Sequence, residues 1–383
     1  MHAPLRGVRV LDLSRLIPGP FCTLILSDLG ASVDKLEDPH VGDYLRVFPP
    51  LKNGLSGRFN ALNRDKRSLC LDLKQPEGRD ALLQLVRGYD VVVESFRPGV
   101  LDKLGVGFAA LSKQNPRLIL LSISGYGQDG PLRDKAGHDL NYLALGGVLG
   151  LAGPPDRAPP TPAIQLADVA GGALFGAVGI LAALYERERS GQGQQLDVSM
   201  CEGALAFLIP DLGNLDAAGA PPRRGGELLN GGAAAYGVYR TKDDRFLSVG
   251  ALEPKFWAAF NQAIGRPVDL SELVADEATQ ARVRDEIQTL LAAKTRDEWE
   301  QLLVGDVCVE PVLDVAELAA HPQHRARGMF FDVDGLRQTR TPLGRVEGHR
   351  GPPQLGGDGA AILREAGFSD GDIERLRERR VTK

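Results

Sequence analysis

The sequence predicts an α/β protein with a doubly wound, parallel-sheet large domain and a smaller α+β domain. Three observations lead there. Short apolar runs alternate with helical stretches through the first half of the chain, the pattern of a parallel sheet covered on both faces. One of these runs, DVVVESF at 90–96, is apolar on consecutive residues, as a strand buried on both sides must be. After a linker rich in glycine, proline and arginine, 216–235, the pattern changes to a hairpin followed by helices.

The elements follow in order. GVRVLDLS, 7–14, is the first strand. In PGPFCTLILSDLG the prolines start a helix and Gly30 ends it. SVDKLED, 32–38, and KRSLCLDLK, 66–74, are strands, the latter alternating apolar and polar residues. Pro76 opens a helix with acids early and Arg87 late, as the helix dipole prefers. DVVVESF, two short helices in VLDKLGV and FAALSKQN, and the strand RLILLSIS complete the repeat. A proline-rich connector, 156–164, precedes a long apolar helix from Val169 to Arg189, stopped at Gly191. QQLDVSMCEGALAFL adds a further strand and helix. Beyond the linker, YGVYRTKDDRFLSVGAL reads as a hairpin with its turn at the two aspartates. Helices are expected from Glu253–Pro254, over 276–293 and over 295–303. From about 321 the chain reads as loop, ending in the charged helix SDGDIERLRERR. The division is therefore 1–215 for the large domain, rejoined by 326–383, with linker and small domain at 216–325.

Composition narrows the function. A chain of 383 residues with 43% apolar and 25% charged residues is ordinary for a soluble protein, and its length calls for more than one small core. A net charge of −5 argues against a nucleic-acid partner, which needs a basic excess. Cys22, Cys70, Cys201 and Cys308 lack metal-ligand spacing, so neither zinc nor disulfides are expected, and a reducing cytoplasm is. No signal peptide and no apolar stretch of membrane-spanning length is read. GYGQDG, 125–130, fits the spacing GxGxxG, but Pro131 and a charged loop follow where a dinucleotide site needs a helix.

The centre of the chain is RLILLSISGYGQDGPLRDKAGHDLNYLALGG, 117–147. His138 stands there at a strand-to-helix loop, beside Asp139, and imidazole titrates near neutrality. Its plain alternative is a helix cap. Asp168 stands at the start of the long helix beside Gly171 and Gly172, where an acid is either an N-cap or a reactive carboxylate.

Several stretches together resemble the family III CoA-transferases (the CaiB/BaiF type) and, within them, the α-methylacyl-CoA racemases: GVRVLDLSRLIPGPFCTLILSDLGASV, NRDKRSLCLDLKQPEG, ESFRPGVLDKLG, AGHDLNYLALGG, QLADVAGGALFGAVGILAALYERERSGQGQQLDVSM, LNGGAAAYGVYRT and VGALEPKFW. The transferases share Asp168, in them a nucleophile. The racemases share His138 and Glu253 as well. The resemblance therefore implies a racemase acting on 2-methylacyl-CoA esters, with a CoA-transferase as the alternative and a catalytically dead CoA-binding protein as a third reading. It implies lipid metabolism, an acyl-CoA substrate whose CoA is no separate cofactor, no membrane partner and an interlocked homodimer.

Racemisation removes the proton beside the thioester carbonyl and returns it on the other face. One base must be free while the other holds a proton. His138 and Asp168 are the expected pair, with backbone N–H groups of Val169–Gly172 facing the enolate oxygen. Glu253 is the expected partner holding the imidazole tautomer, or simply a first-turn acid. Arg97 and Lys103 are the expected phosphate contacts, with solvated surface as the alternative. Leu71, Leu73 and Phe96 are expected to wall the adenine and pantetheine. The resemblance adds Asp72, Lys74 and Ser95, and the loop Gly137, Asp139, Leu140, Asn141 and Tyr142. Two departures stand out. An arginine that meets CoA phosphates in the racemases is here Asp38, with Arg46 the nearest replacement. The methionine-lined racemase pocket is also missing, since this chain has only Met1, Met200 and Met329.

Overall fold

The computed structural model describes residues 3–344 and 348–383. The chain forms two compact units, one of residues 1–146, 162–207 and 321–383, the other of 147–161 and 208–320. Residues 147–161 and 208–215, assigned from sequence to the large domain, thus group with the second unit, and the return begins at 321.

Six parallel strands build the first unit: β1 (Arg9–Asp12), β2 (Ser32–Glu37), β3 (Arg67–Cys70), β4 (Val91–Glu94), β5 (Ile119–Ser124) and β6 (Gln195–Ser199). Their order across the sheet is β3-β2-β1-β4-β5-β6. The order reverses between β1 and β4, where Val10 pairs with Val91. Doubly wound sheets open a ligand crevice beyond the carboxyl ends of the strands at such a reversal.

The strands alternate their side chains between two buried layers. Leu11, Val92 and Leu120 face a cluster with Leu82, Leu85 and Leu111. Leu121 and Ile123 face the helix Phe175–Ser190, where Gly176 permits close approach: a Cβ there would lie 2.9 Å from Leu121. The C-terminal return completes the first layer with Ile362, Leu363, Ile373 and Leu376. It is tied down by the Asp72 N–H donating to Val381 O (2.8 Å) and the Thr382 hydroxyl donating to Cys70 O (2.7 Å).

Two expectations need correction. The region beyond 321 is less loop-like than read. Phe330–Val333 and Leu336–Thr339 form an antiparallel hairpin. Asp334 and Gly335 turn it with φ of 52° and 71°, a backbone that the Asp-Gly pair in the sequence signals. Ala167–Ser190 is also long and apolar enough to cross a membrane by length and composition. Half of its most apolar 18 residues are buried, with Gly171, Gly172, Ala177, Ile180 and Ala183 turned inward, as in a core helix.

The second unit has a three-stranded antiparallel sheet in the order Val309–Pro311, Phe246–Gly250, Tyr236–Arg240. Helices Pro254–Ile264, Glu277–Leu291 and Arg296–Leu302 bury Trp257, Phe260, Ile287 and Trp299 against it. Asp244, at φ 56°, makes the expected hairpin turn.

Candidate active site

Beyond the carboxyl end of β5, two helix starts meet. The loop after Ser124 runs without a helix to His138, the N-cap of the helix Asp139–Leu145. No helix begins inside the glycine spacing at 125–130. The His138 N–H donates to Asn141 Oδ1 at 3.0 Å, and the residue is exposed. The next residue turns inward. Asp139 is 9% exposed, and its Oδ1 accepts the N–H of Asp168 at 3.0 Å. The N–H of Ala167 is bonded to the same carboxylate.

Asp168 lies in the first turn of a π-helical segment, Ala167–Leu174, that runs into the helix Phe175–Ser190. Such wide turns occur often at functional sites. The segment packs closely on the helix Met200–Ala206: a Cβ on Gly203 would lie 2.3 Å from Gly171 O, and one on Gly171 would lie 2.8 Å from Met200 O. Burial raises the Asp168 carboxyl, the negative Asp139 beside it raises it further, and together they push it up to about 7. At neutral pH both protonation states are therefore populated.

Tyr142 supports this corner. Its hydroxyl donates to Gly137 O at 2.5 Å, and its ring meets Tyr126 edge-on at 5.2 Å. Side chains on Gly125 or Gly137 would collide with that ring, their Cβ atoms falling 2.6 and 2.7 Å away. Burial first, then the charges of Asp168 and Asp139, push the Tyr142 hydroxyl up to about 12.

A second group of residues gathers where the strand order reverses. The Arg15 N–H, just after β1, donates to the Ser95 hydroxyl just after β4 (3.1 Å). The Arg15 guanidinium lies 5.2 Å from the Tyr44 ring and 5.4 Å from the Phe96 ring. Beneath the turn, Glu94 is 5% exposed and accepts the Phe96 N–H at 2.7 Å. Burial pushes Glu94 up to about 7 against its bonds to Ser122 and Phe96, with Asp197 and Asp102 adding to the rise. Arg97 and Lys103 follow on this turn and are exposed. Sequence reading missed Arg15 and Glu94. Each flanks a strand end, yet only the adjacency of β1 and β4 gives that position meaning.

Several expected contacts have other employment. Leu71 is 1% exposed within the core, so its side chain cannot wall a ligand, while Leu73 and Phe96 pack at the edge of that core. The Asp72 carboxylate accepts the Lys74 N–H (3.0 Å) and the Gln75 side chain (3.0 Å), closing the turn before the helix Pro76–Leu85. Asp139 spends its carboxylate on the helix start at Ala167–Asp168 and Tyr142 its hydroxyl on the loop, whereas Leu140 and Asn141 are exposed. The Val169 N–H, expected to face an enolate, bonds Gln165 O at 2.9 Å. Arg46 does not replace the missing cation: it is 5% exposed, donates to both Glu37 oxygens (2.8 and 2.7 Å), and stacks on Phe59. Asp38 instead closes a turn by accepting the N–H groups of His40 (2.8 Å) and Val41 (3.2 Å). Glu253, in the second unit, is the exposed N-cap of the helix Pro254–Ile264 and makes no side-chain cap bond.

Comparison with known proteins places the whole chain. Residues 5–366 match the family model of CoA-transferase family III. The chain belongs to that family. It is similar to the α-methylacyl-CoA racemase of Homo sapiens, 37% identical over 98% of this chain and 97% of that one. It is similar to the same degree to the acetyl-CoA:oxalate CoA-transferase of Acetobacter aceti, 37% identical over 94% of this chain and 95% of that one. A CAIB/BAIF family protein from Brucella suis has the same fold, with TM-score 0.81 and 32% identity over 96% of this chain and 100% of that one.

Proposed function

We propose that the protein racemises 2-methylacyl-CoA thioesters by two-base proton transfer at the α carbon. The observation that carries this reading is the Asp168 carboxyl, pushed up to about 7, at a helix start bonded to the one that bears the exposed His138. A general acid that still holds its proton near neutrality pairs naturally with a base of another type, here the imidazole of His138. In one direction His138 takes the α proton, an enolate forms, and Asp168 delivers its proton to the opposite face. His138 is then imidazolium and Asp168 carboxylate, the state that runs the reverse direction. Glu253 belongs to this reading as the acid that the resemblance carries over. Arg97 and Lys103 are the proposed phosphate contacts, with Arg15 beside them. Cytoplasmic location and acyl-CoA (lipid) metabolism belong to this reading.

The transferase reading has its own support, since a named CoA-transferase is as similar to this chain as a named racemase. There Asp168 would be a nucleophile, and a carboxyl that is only half ionised at neutrality is a poorer one. One experiment separates the two. With a chiral 2-methylacyl-CoA in heavy water and no acid acceptor, the wild type should exchange the α proton and equilibrate the epimers. His138→Ala should lose this activity by about 10²- to 10⁴-fold, the usual worth of a general base. Hydroxylamine trapping at Asp168, transfer of CoA to an added acid and indifference to loss of His138 would establish the transferase instead.

The homodimer is part of the same proposal. Leu174, Val178, Leu181 and Tyr185, spaced by four, three and four residues, are 47%, 61%, 37% and 69% exposed along one helix. Such a stripe is the face that a second helix covers. Sedimentation at twice the 41.1 kDa chain mass checks it.

A further inference from the structure

We propose that Asp139 is a positioning residue for Asp168: its carboxylate closes the turn that carries Asp168, and its negative charge keeps a proton on that neighbour. The inference rests on the reading of Asp168 as a proton-transfer group, and it assigns Asp139 a task other than contact with CoA. The geometry is specific. Asp139 is 9% exposed and follows directly on the exposed His138, so one helix start sends its first residue inward and its cap outward. The inward carboxylate accepts the N–H groups of Ala167 and Asp168, the latter at 3.0 Å. No side chain within the turn caps it, because the residue before it, Leu166, has none to offer. Asp139 thus caps, from another helix, the segment on which Asp168 is mounted.

The second half of the inference is electrostatic. Burial raises the Asp139 carboxyl above its usual range, and the two N–H donors, from Asp168 and Ala167, work against that rise. Asp168 has no such donors in its favour, only burial and the Asp139 charge, and both favour its proton. The titratable groups on the elements packed around this turn do not reverse that. The helix Asp139–Leu145 brings Tyr142, neutral and tied to Gly137. The helix Met200–Ala206 brings Cys201, raised by burial and by Glu202. The helix Pro18–Asp28 brings Cys22, raised by burial, and Asp28, held by Arg64 at 2.6 Å. Arg97 acts on Tyr142 from the turn after β4. The pair is thus asymmetric: backbone donors favour the charge of Asp139, none favours that of Asp168, and the charge of Asp139 raises its neighbour.

The test uses the full-length protein and does not depend on turnover. The carboxyl band of Asp168, assigned by its loss in Asp168→Asn, is titrated by infrared difference spectroscopy in the wild type and in Asp139→Asn. The asparagine keeps an oxygen acceptor for the turn and removes the charge. The Asp168 midpoint should fall by about one unit or more, a tenfold change in proton affinity. Amide hydrogen exchange at Ala167 and Asp168 should stay slow in Asp139→Asn and quicken in Asp139→Ala. An unchanged midpoint in Asp139→Asn overturns the proposal. Should that variant fail to fold, the wild type alone decides: an Asp168 midpoint below about 5 overturns the proposal, and one near neutrality supports it. If the midpoints behave as stated while no α proton exchanges, the role of Asp139 stands and the racemase reading falls.

Discussion

Asp12, fully buried, and Asp168, half-buried, lie in the same unit beside the carboxyl ends of strands, and their environments drive them in opposite directions. Asp12, at the end of β1, is 0% exposed. Burial alone would raise it. The Lys66 ammonium at 3.0 Å, Lys35 and the hydroxyls of Ser14 and Thr23 outweigh that and hold it well below the usual carboxylate range. Lys66 also donates to Pro20 O (3.0 Å) and Asn63 Oδ1 (2.9 Å), and Lys35 reaches Asp43 at 3.1 Å. Every charge there is answered, and the cluster serves to pin β1, β2 and the following helix together. Asp168 has an anion for a neighbour in place of a cation, and it is pushed up to about 7. The difference separates two uses of a carboxyl. Paired with ammonium groups it is architecture, fixed in one state. Left beside another acid it keeps two states within reach of neutral pH, as proton transfer requires.

The comparison can be broken most severely at Asp12. Asp12→Asn leaves the Lys66 ammonium buried without its counter-charge and should destabilise the protein by about 3–5 kcal/mol, measured by urea unfolding at pH 7. In the wild type the contribution of Asp12 is present above the unfolded carboxylate range near pH 4 and is lost as pH falls toward its depressed folded value. A neutral outcome for Asp12→Asn would show that the network is ornamental.

Asp168→Asn should have the opposite sign and a smaller size. The folded state holds the Asp168 proton up to about 7, while the unfolded chain releases it near 4. Between those values the folded state binds more protons, so stability falls as pH rises. Removing the carboxyl should therefore raise stability at pH 8 by about 2 kcal/mol and leave it nearly unchanged at pH 4, read as a Tm difference between the two pH values. A Tm that drops at pH 8 would contradict the raised carboxyl.

The smallest effect is expected at the exposed turn after β4. Arg97→Ala and Lys103→Ala should each raise KM for acyl-CoA by about tenfold or less and leave kcat alone. Phosphate contacts change little between ground and transition states, and exposed cations are screened. A collapse of kcat at constant KM would move these residues into the chemistry.

Much of the architecture was legible without coordinates. Apolar runs such as VVV at 91–93 and LILL at 118–121, short and set between turn residues, read as strands buried on both faces, so they announce a parallel sheet. Pro18, Pro76 and Pro254 each open a helix because proline lacks the N–H that a first turn leaves unused. His138, Asp168 and Glu253 were legible as candidates by their residue types and by resemblance.

Partnership was not legible, because it depends on which strand ends and helix starts are brought together. Nothing in the sequence says that Arg46 is consumed by Glu37, that Leu71 is sealed in the core, or that Gly171 and Gly203 exist to let two backbones touch. Nor does it say that Asp139 reaches across 29 positions to the N–H of Asp168. The sequence by itself determined the order of strands and helices and the chemical types available, since both follow from local pattern. Only the tertiary structure decided which acid is paired with a cation and which faces another acid. A carboxyl's proton affinity is set by the charges and the water around it, and those come from residues distant in the chain.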